Sequence, residues 1–519
     1  MNYAFLQVAQ EFQLEIITRF QNDSKINASY ISSAVKEHFH GDKENCIKIL
    51  DKIVDQNPDL ILKKIDDFLF TEAISKLIKV PWVISEEDIV RLKHIESISM
   101  RLMDRSSLIP ISNFSRRRLY LILLNYFTYL IEKQKIDVLV VFDTPHSYYD
   151  IVYYELCKSK NIRVIKLEYH FLTDYSILLN QDEWPVIPEN FMENGSVEDY
   201  NSLLPDSLSK SIFKNSLVLQ SYKSKETKAI VKLSSFSSFK LYLRYLKKST
   251  QNIIMGMFPF LFKKEILHFA SLNGLNNRLV YRLLLNVQLF KLINLNVFYN
   301  KIASKNLSLN VPYVFVGLHM QPEKTSQPMG GEFDNQLMMV KILSDSVPEG
   351  WKVYVKEHPN QFNVKKVPNR HYRDKYFYEC IQLLDNVEFV PLELDSKDMI
   401  ENSKMVATLT GTLGWEAITK SIPALVFGYT YYMNCGAVRK ITSVETCKRA
   451  ILELSELKSE DFKREIYRYL AYYYSNNWLV AASNMQSVMH LNSNSYQTQV
   501  DNLLERITYF HKKIKDSRP

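Results

Sequence analysis

Two short apolar runs, each ending in a polar turn, constrain this 519-residue chain more than any other feature of it. The first runs from Trp351 to Lys356 and closes on Lys356-Glu357-His358-Pro359; the second, Val406 to Leu409, closes on Thr410-Gly411-Thr412 and leads into Leu413-Gly414-Trp415-Glu416-Ala417. A continuous apolar run of this kind suits a strand covered on both faces, as in a parallel sheet. Parallel sheets need helical crossovers and take ligands in the crevice beyond the carboxyl ends of their strands. Polar turns at two neighbouring strand ends predict an anion-binding crevice there.

Glycine usage agrees. The chain has 12 Gly, and those at 317, 330, 331, 350, 411, 414, 428 and 436 all fall in this region, where the backbone must turn sharply or approach a ligand. Ordinary loop turns would concentrate glycine in the same way.

Strands alternate with helices from Val311 onward: strands at Val311–Gly317, Trp351–Lys356, Val387–Val390, Val406–Leu409 and Ala424–Phe427, and helices at Asp334–Ser346, Lys397–Asn402 and Leu413–Lys420. A second unit lies earlier, with strands at Asp137–Phe142 and Arg163–Leu167 flanking a helix from Ser147 to Lys160. Residues 1–135 otherwise read as helices, at Val8–Phe20, Asn27–Phe39, Cys46–Val54, Glu86–Met103 and Arg116–Lys133. The expected fold is α/β, with two Rossmann-like domains facing a cleft and additional N-terminal, central and C-terminal helices. The boundaries fall at 1–180 for the N-terminal domain, 181–305 for a linker and helical segment, 306–450 for the C-terminal domain and 451–519 for terminal helices.

No apolar stretch is long enough to span a bilayer, and the N-terminus lacks a basic region followed by an apolar run, so a cytoplasmic protein is expected. Five widely spaced cysteines, with no Cys-x-x-Cys pair, argue against a disulfide framework and a zinc site. The net charge of +8 is concentrated in Lys223–Lys248, where eight basic residues accompany one acid, Glu226. This run fits an anionic membrane surface or a solvated helix face, and no nucleic-acid module accompanies it. The apolar segment Ile253–Phe262 fits a membrane contact or a buried interdomain helix.

Four polar strand ends are candidates for chemistry. Thr410, Gly411 and Thr412 precede a helix whose dipole favours a phosphate, and Glu416, one turn in, either meets ribose hydroxyls or serves the dipole. Pro359 keeps His358 extended at its strand end, with Lys356 on the same side and Glu357 on the other. The loop Leu318-His319-Met320-Gln321-Pro322-Glu323 offers Gln321 and Glu323 to a substrate, with Glu323 a further candidate base, or is ordinary loop polarity. Asp143 and His146, in Asp143-Thr144-Pro145-His146, are candidate general bases toward an acceptor hydroxyl, although Asp143 could equally cap the following helix.

At these residues the chain resembles the bacterial capsule polysaccharide and surface carbohydrate biosynthesis proteins, a group that includes the Kdo transferases. Lys356-Glu357-His358-Pro359, Gly411-Thr412-Leu413-Gly414-Trp415-Glu416-Ala417 and Ile422-Pro423-Ala424-Leu425-Val426-Phe427-Gly428 carry the resemblance, with thinner support from Pro145-His146. It implies a GT-B glycosyltransferase without a required metal or other cofactor. The implied partners are a nucleotide sugar, CMP-linked in the Kdo-transferring members, and a lipid-linked or oligosaccharide acceptor; the basic run Lys223–Lys248 would be the contact with the inner face of the cytoplasmic membrane. It assigns the donor to Lys356, His358, Pro359, Thr410, Gly411, Thr412 and Glu416, with Gln321 nearby. Helix N-termini, Lys and His can carry the departing phosphate that a divalent ion would otherwise hold, and no Asp-x-Asp motif is present. The family's Kdo transferases follow the corresponding strand with Gln and Asp in fixed spacing. Here Gln321 and Glu323 stand there, which leaves the donor sugar open. A teichoic-acid-type polyol-phosphate transferase and a non-catalytic glycan-binding or assembly protein are the competing readings.

Overall fold

The structure, a computed structural model, describes residues 1–33, 43–57, 59–64, 77–105, 112–169, 176–180, 183–212, 278–363, 372–476, 478–480 and 493–516. Lys223–Lys248 and Ile253–Phe262 lie outside the described residues. In chain order the strands are β1 (Asn2–Val8), β2 (Asn27–Ser33), β3 (Ile61–Lys64), β4 (Val138–Val141), β5 (Arg163–Tyr169), β6 (Ser176–Asn180), β7 (Tyr313–Gly317), β8 (Lys352–Lys356), β9 (Val387–Phe389), β10 (Met405–Thr408), β11 (Ala424–Val426), β12 (Val438–Lys440) and β13 (Leu479–Val480).

They form two sheets. The first has the order β13-β6-β5-β4-β1-β2-β3, parallel from β5 to β3, with β6 and β13 joined antiparallel. The second has the order β12-β11-β10-β7-β8-β9 and is parallel throughout. Each sheet reverses its winding once, between β1 and β4 in the first and between β7 and β10 in the second. Ligands of open parallel sheets bind at such reversals. The two Rossmann-like domains meet through the loops at these carboxyl ends, which is the GT-B-like arrangement.

Apolar faces explain the layering. In the first sheet, Tyr3, Phe5, Val138, Val140, Ile165 and Leu167 pack beneath the helices Glu11–Ser24, Lys43–Gln56 and Ser493–Asp516. Leu139, Val141 and Val164 face the opposite way, toward Lys93–Arg105, Asn113–Gln134 and Tyr148–Ser159. In the second sheet, Val314, Val316, Val353, Val355, Met405 and Ala407 share a core with Arg278–Ile302, Leu337–Ser346 and Val444–Ser455.

The helical reading of the first 64 residues needs correction. Asn27–Ser33, expected in a helix, is β2, and Asn2–Val8 and Ile61–Lys64 are also strands. Ala28, Tyr30 and Ile31 are buried between two parallel neighbours, and Tyr30 stacks on Tyr153 with ring centroids 4.3 Å apart. Pairing with distant strands outweighed local periodicity. In the second domain, the helix Lys375–Gln382 and strand β12 join the expected elements.

Candidate active site

At the second sheet's reversal point, His319 follows β7 and faces the turn after β10. Its Nε2 accepts from the backbone N–H of Thr410 at 3.1 Å and lies 3.1 Å from Thr408 Oγ1, which accepts from Gly411 N at 3.3 Å. Burial lowers the His319 pKa to about 3, so the ring stays neutral and able to accept. The Thr410-Gly411 turn is thus held by a side chain of the loop after β7 and one of β10. Thr412 Oγ1 donates to Glu416 Oε1 at 3.1 Å within the helix Thr412–Ile418, and burial raises the Glu416 pKa.

The β8 turn is tied down by a buried ion pair. Glu357, 1% exposed, accepts from Arg373 Nε at 2.9 Å and from Tyr378 OH at 2.8 Å; Arg373 also donates to Gln321 Oε1 and, at 3.3 Å, to His319 O. Gln321 N donates to Gln361 Oε1 at 2.8 Å. Gln321 and Arg373 thereby lock the β7 loop to the β8 turn. His358 sits half-buried at the surface of that turn, its Nδ1 accepting from Asn360 N at 3.1 Å as cap of the short helix Pro359–Phe362. Lys356 turns the other way: its ammonium donates to Leu394 O and, at 3.2 Å, to Ser396 Oγ, and burial lowers its pKa to about 8.

At the first sheet's reversal point, Asp143 and Thr144 follow β4 and are buried. Asp143 Oδ1 accepts from Thr144 N at 2.9 Å and from Lys324 Nζ, on the loop after β7, at 2.6 Å. Thr144 Oγ1 donates to Glu168 on β5, and Lys166 Nζ lies 3.9 Å from the same carboxylate. Burial raises the Glu168 pKa, against the pull of Lys324 and Lys166. His146 Nδ1 is 3.0 Å from Thr144 O. A second crossing joins Arg101 to Asp334 at 3.2 Å. Burial raises the Asp334 pKa, with Arg101 opposing.

Asp143 and His146 therefore share one turn, Thr410, Gly411, Thr412 and Glu416 another, and His358 and Pro359 a third. Glu323 N donates to Ser326 Oγ at 3.1 Å, one residue from Lys324. Gln321 and Lys356 point into protein contacts. Sequence reasoning passed over Lys324, Arg373, Glu168 and Asp150. Asp150 lies beneath the first reversal point, bonded by Gln7 Nε2 and, at 2.7 Å, by Ser32 Oγ, and burial raises its pKa to about 7. None of the four sits in a motif, and each gains meaning only from a partner far away in the chain. Among the described residues no group of three His, Cys, Asp or Glu is placed to hold a metal ion, and no helix is long and apolar enough to cross a membrane.

No family model and no curated protein matches the chain. Among solved structures it is similar to KpsC of Thermosulfurimonas dismutans, a beta Kdo 2,7 transferase, at 13% identity over 62% of this chain and 74% of that one, with a TM-score of 0.25. It is also similar to the UDP-GlcNAc 2-epimerase of Methanocaldococcus jannaschii, at 12% identity over 91% of this chain and 100% of that one, TM-score 0.22. The S. aureus MnaA–UDP co-structure matches at 11% identity over 100% and 98%, TM-score 0.22.

Proposed function

We propose that this chain is a glycosyltransferase that needs no metal and moves a CMP-linked sugar, such as Kdo, from a nucleotide donor to a growing bacterial surface polysaccharide at the cytoplasmic face of the inner membrane. The second domain holds the donor and the first holds the acceptor. One observation carries this reading: the reversal points of two Rossmann-like sheets are brought together by the contact of Asp143 with Lys324. Two facing reversal points suit two substrates, one per sheet.

His358, Thr410, Gly411, Thr412 and Glu416 line the donor side, and Asp143, His146 and Glu323 the acceptor side. Asp143 takes the proton of the acceptor hydroxyl, whose oxygen bonds to the anomeric carbon. The bond from that carbon to phosphate breaks, and its electron pair leaves with the phosphate. Cations of the second domain hold that charge in the role a divalent ion plays elsewhere.

The test starts with thermal unfolding in the presence of CMP and other nucleotides. The wild-type protein is expected to gain stability and His358→Ala to lose that gain; no shift with any nucleotide overturns the donor site. A panel of nucleotide sugars, followed for nucleotide release with and without a glycan acceptor, then tests transfer. Release that ignores the acceptor would count against it.

A further inference from the structure

Resting on the reading above, we infer that Lys324 is the residue that takes the donor's phosphate, and that it does so by exchanging partners with Asp143, so that Asp143 becomes available as a base only after the donor has bound. Several cations surround the second sheet's carboxyl ends. Lys356 is 7% exposed and donates to Leu394 O and Ser396 Oγ. Arg373 is 3% exposed and bound to Glu357, Gln321 and His319 O. Lys440 lies over the Tyr429 ring, 3.1 Å from its centroid. Each of these is held by its own domain and would lose a built contact by turning to a ligand.

Lys324 differs. It sits on the loop that leaves β7 at the reversal point, and its 2.6 Å bond reaches across to Asp143 of the other domain. The loop beneath it is firmly seated: Thr410 Oγ1 donates to Thr325 O at 2.7 Å, and Ser326 Oγ to Glu323 O at 2.9 Å. The backbone bearing Lys324 is thereby fixed against the Thr410-Gly411 turn, on the donor side. A phosphate above that turn competes with Asp143 for the ammonium, and a doubly charged oxyanion group is the stronger partner.

The exchange has a consequence for order. While Lys324 holds Asp143, the carboxylate is neutralised as a proton acceptor; once phosphate has taken Lys324, the carboxylate is freed next to the acceptor. Glu168 and Lys166 flank the pair, and Thr144, next to Asp143, donates to Glu168. Donor binding therefore precedes acceptor activation.

Calorimetric titration with CMP, or with whichever nucleotide stabilises the wild-type protein, decides the matter without requiring turnover. Lys324→Met should weaken binding about tenfold, the scale of one charge-assisted contact. Asp143→Asn should instead tighten binding roughly three- to tenfold by releasing Lys324 from its ion pair, an effect no merely structural role predicts. The double variant should bind like Lys324→Met alone, because the benefit of removing Asp143 acts through Lys324. Circular dichroism and melting confirm that each variant is folded; Lys324→Arg, which keeps the charge, should restore most of the affinity and covers the case in which Lys324→Met fails to fold. Unchanged or weaker binding by folded Asp143→Asn overturns the exchange while leaving the proposed function intact. A wild-type protein that binds no nucleotide overturns both.

Discussion

Burial holds the His319 imidazole neutral, and a neutral ring can accept the Thr410 N–H through Nε2. His319→Ala should cost about 1–3 kcal/mol by denaturant unfolding, the usual loss when a buried donor is orphaned, and should reduce nucleotide-induced stabilisation. Asp150 makes the complementary case. Its folded pKa of about 7 lies well above the ordinary carboxylate value, so the folded state binds the proton more tightly than the unfolded chain does. The stability it contributes is fully present below the unfolded pKa and is lost as pH rises through about 7. Asp150→Asn should flatten this fall in melting temperature between about pH 4 and pH 7; an unchanged slope would remove Asp150 as its source. Gln7, which donates to Asp150, has a left-handed backbone at φ 60°, an uncommon conformation for a residue with a side chain.

At the scale of elements, the turns after β7, β10 and β11 approach so closely that only glycine fits at certain points. A Cβ on Gly428 would lie 2.5 Å from Thr410 Cγ2 and 2.6 Å from Met329 O, atoms of two different turns. Gly428→Ala should therefore destabilise the domain by about 1–3 kcal/mol and displace the Thr410 turn, read as a weaker nucleotide-dependent thermal shift. The glycine-rich region of the sequence carried this information. So did the strands of the second domain, because runs such as Val353-Tyr354-Val355 and Val406-Ala407 are buried on both faces and look alike wherever they occur. β2 was illegible for the opposite reason: Asn27-Ala28-Ser29-Tyr30-Ile31-Ser32-Ser33 is small and polar, and it is a strand because β1 and β3 flank it. The site divides similarly. His358 and the Gly411 turn could be read from local motifs, whereas Lys356 gave no sign that it would turn to Leu394, since strand alternation says nothing about which neighbour a long side chain reaches.

For the whole molecule, the two domains are held face to face by apolar packing, where Ile177 and Leu179 of β6 share a core with Trp415 and Val426, and by charge. Lys324 meets Asp143, and Arg101, on the helix Lys93–Arg105, meets Asp334 while its carbonyl accepts from Tyr372 OH at 3.2 Å. Ion pairs at a partly exposed junction weaken with salt. Arg101→Ala should shift the ensemble toward an open cleft, seen as a larger radius of gyration by small-angle scattering; an unchanged radius would assign closure to other contacts. The first sheet, moreover, is completed by distant parts of the chain. β13 pairs with β6, the helix Ser493–Asp516 covers the same core as β1, and Tyr3 OH meets His511 Nδ1 at 2.7 Å. During synthesis the early helices Glu11–Ser24 and Lys43–Gln56 can cover only part of the β1 face, and the remainder waits for the helix Ser493–Asp516 to leave the ribosome. The second domain, whose sheet closes over residues 313 to 440, can fold in the meantime. The nascent chain thus carries a finished domain beside an unfinished one, and the exposed Tyr3 and Phe5 face is where a chaperone would find it.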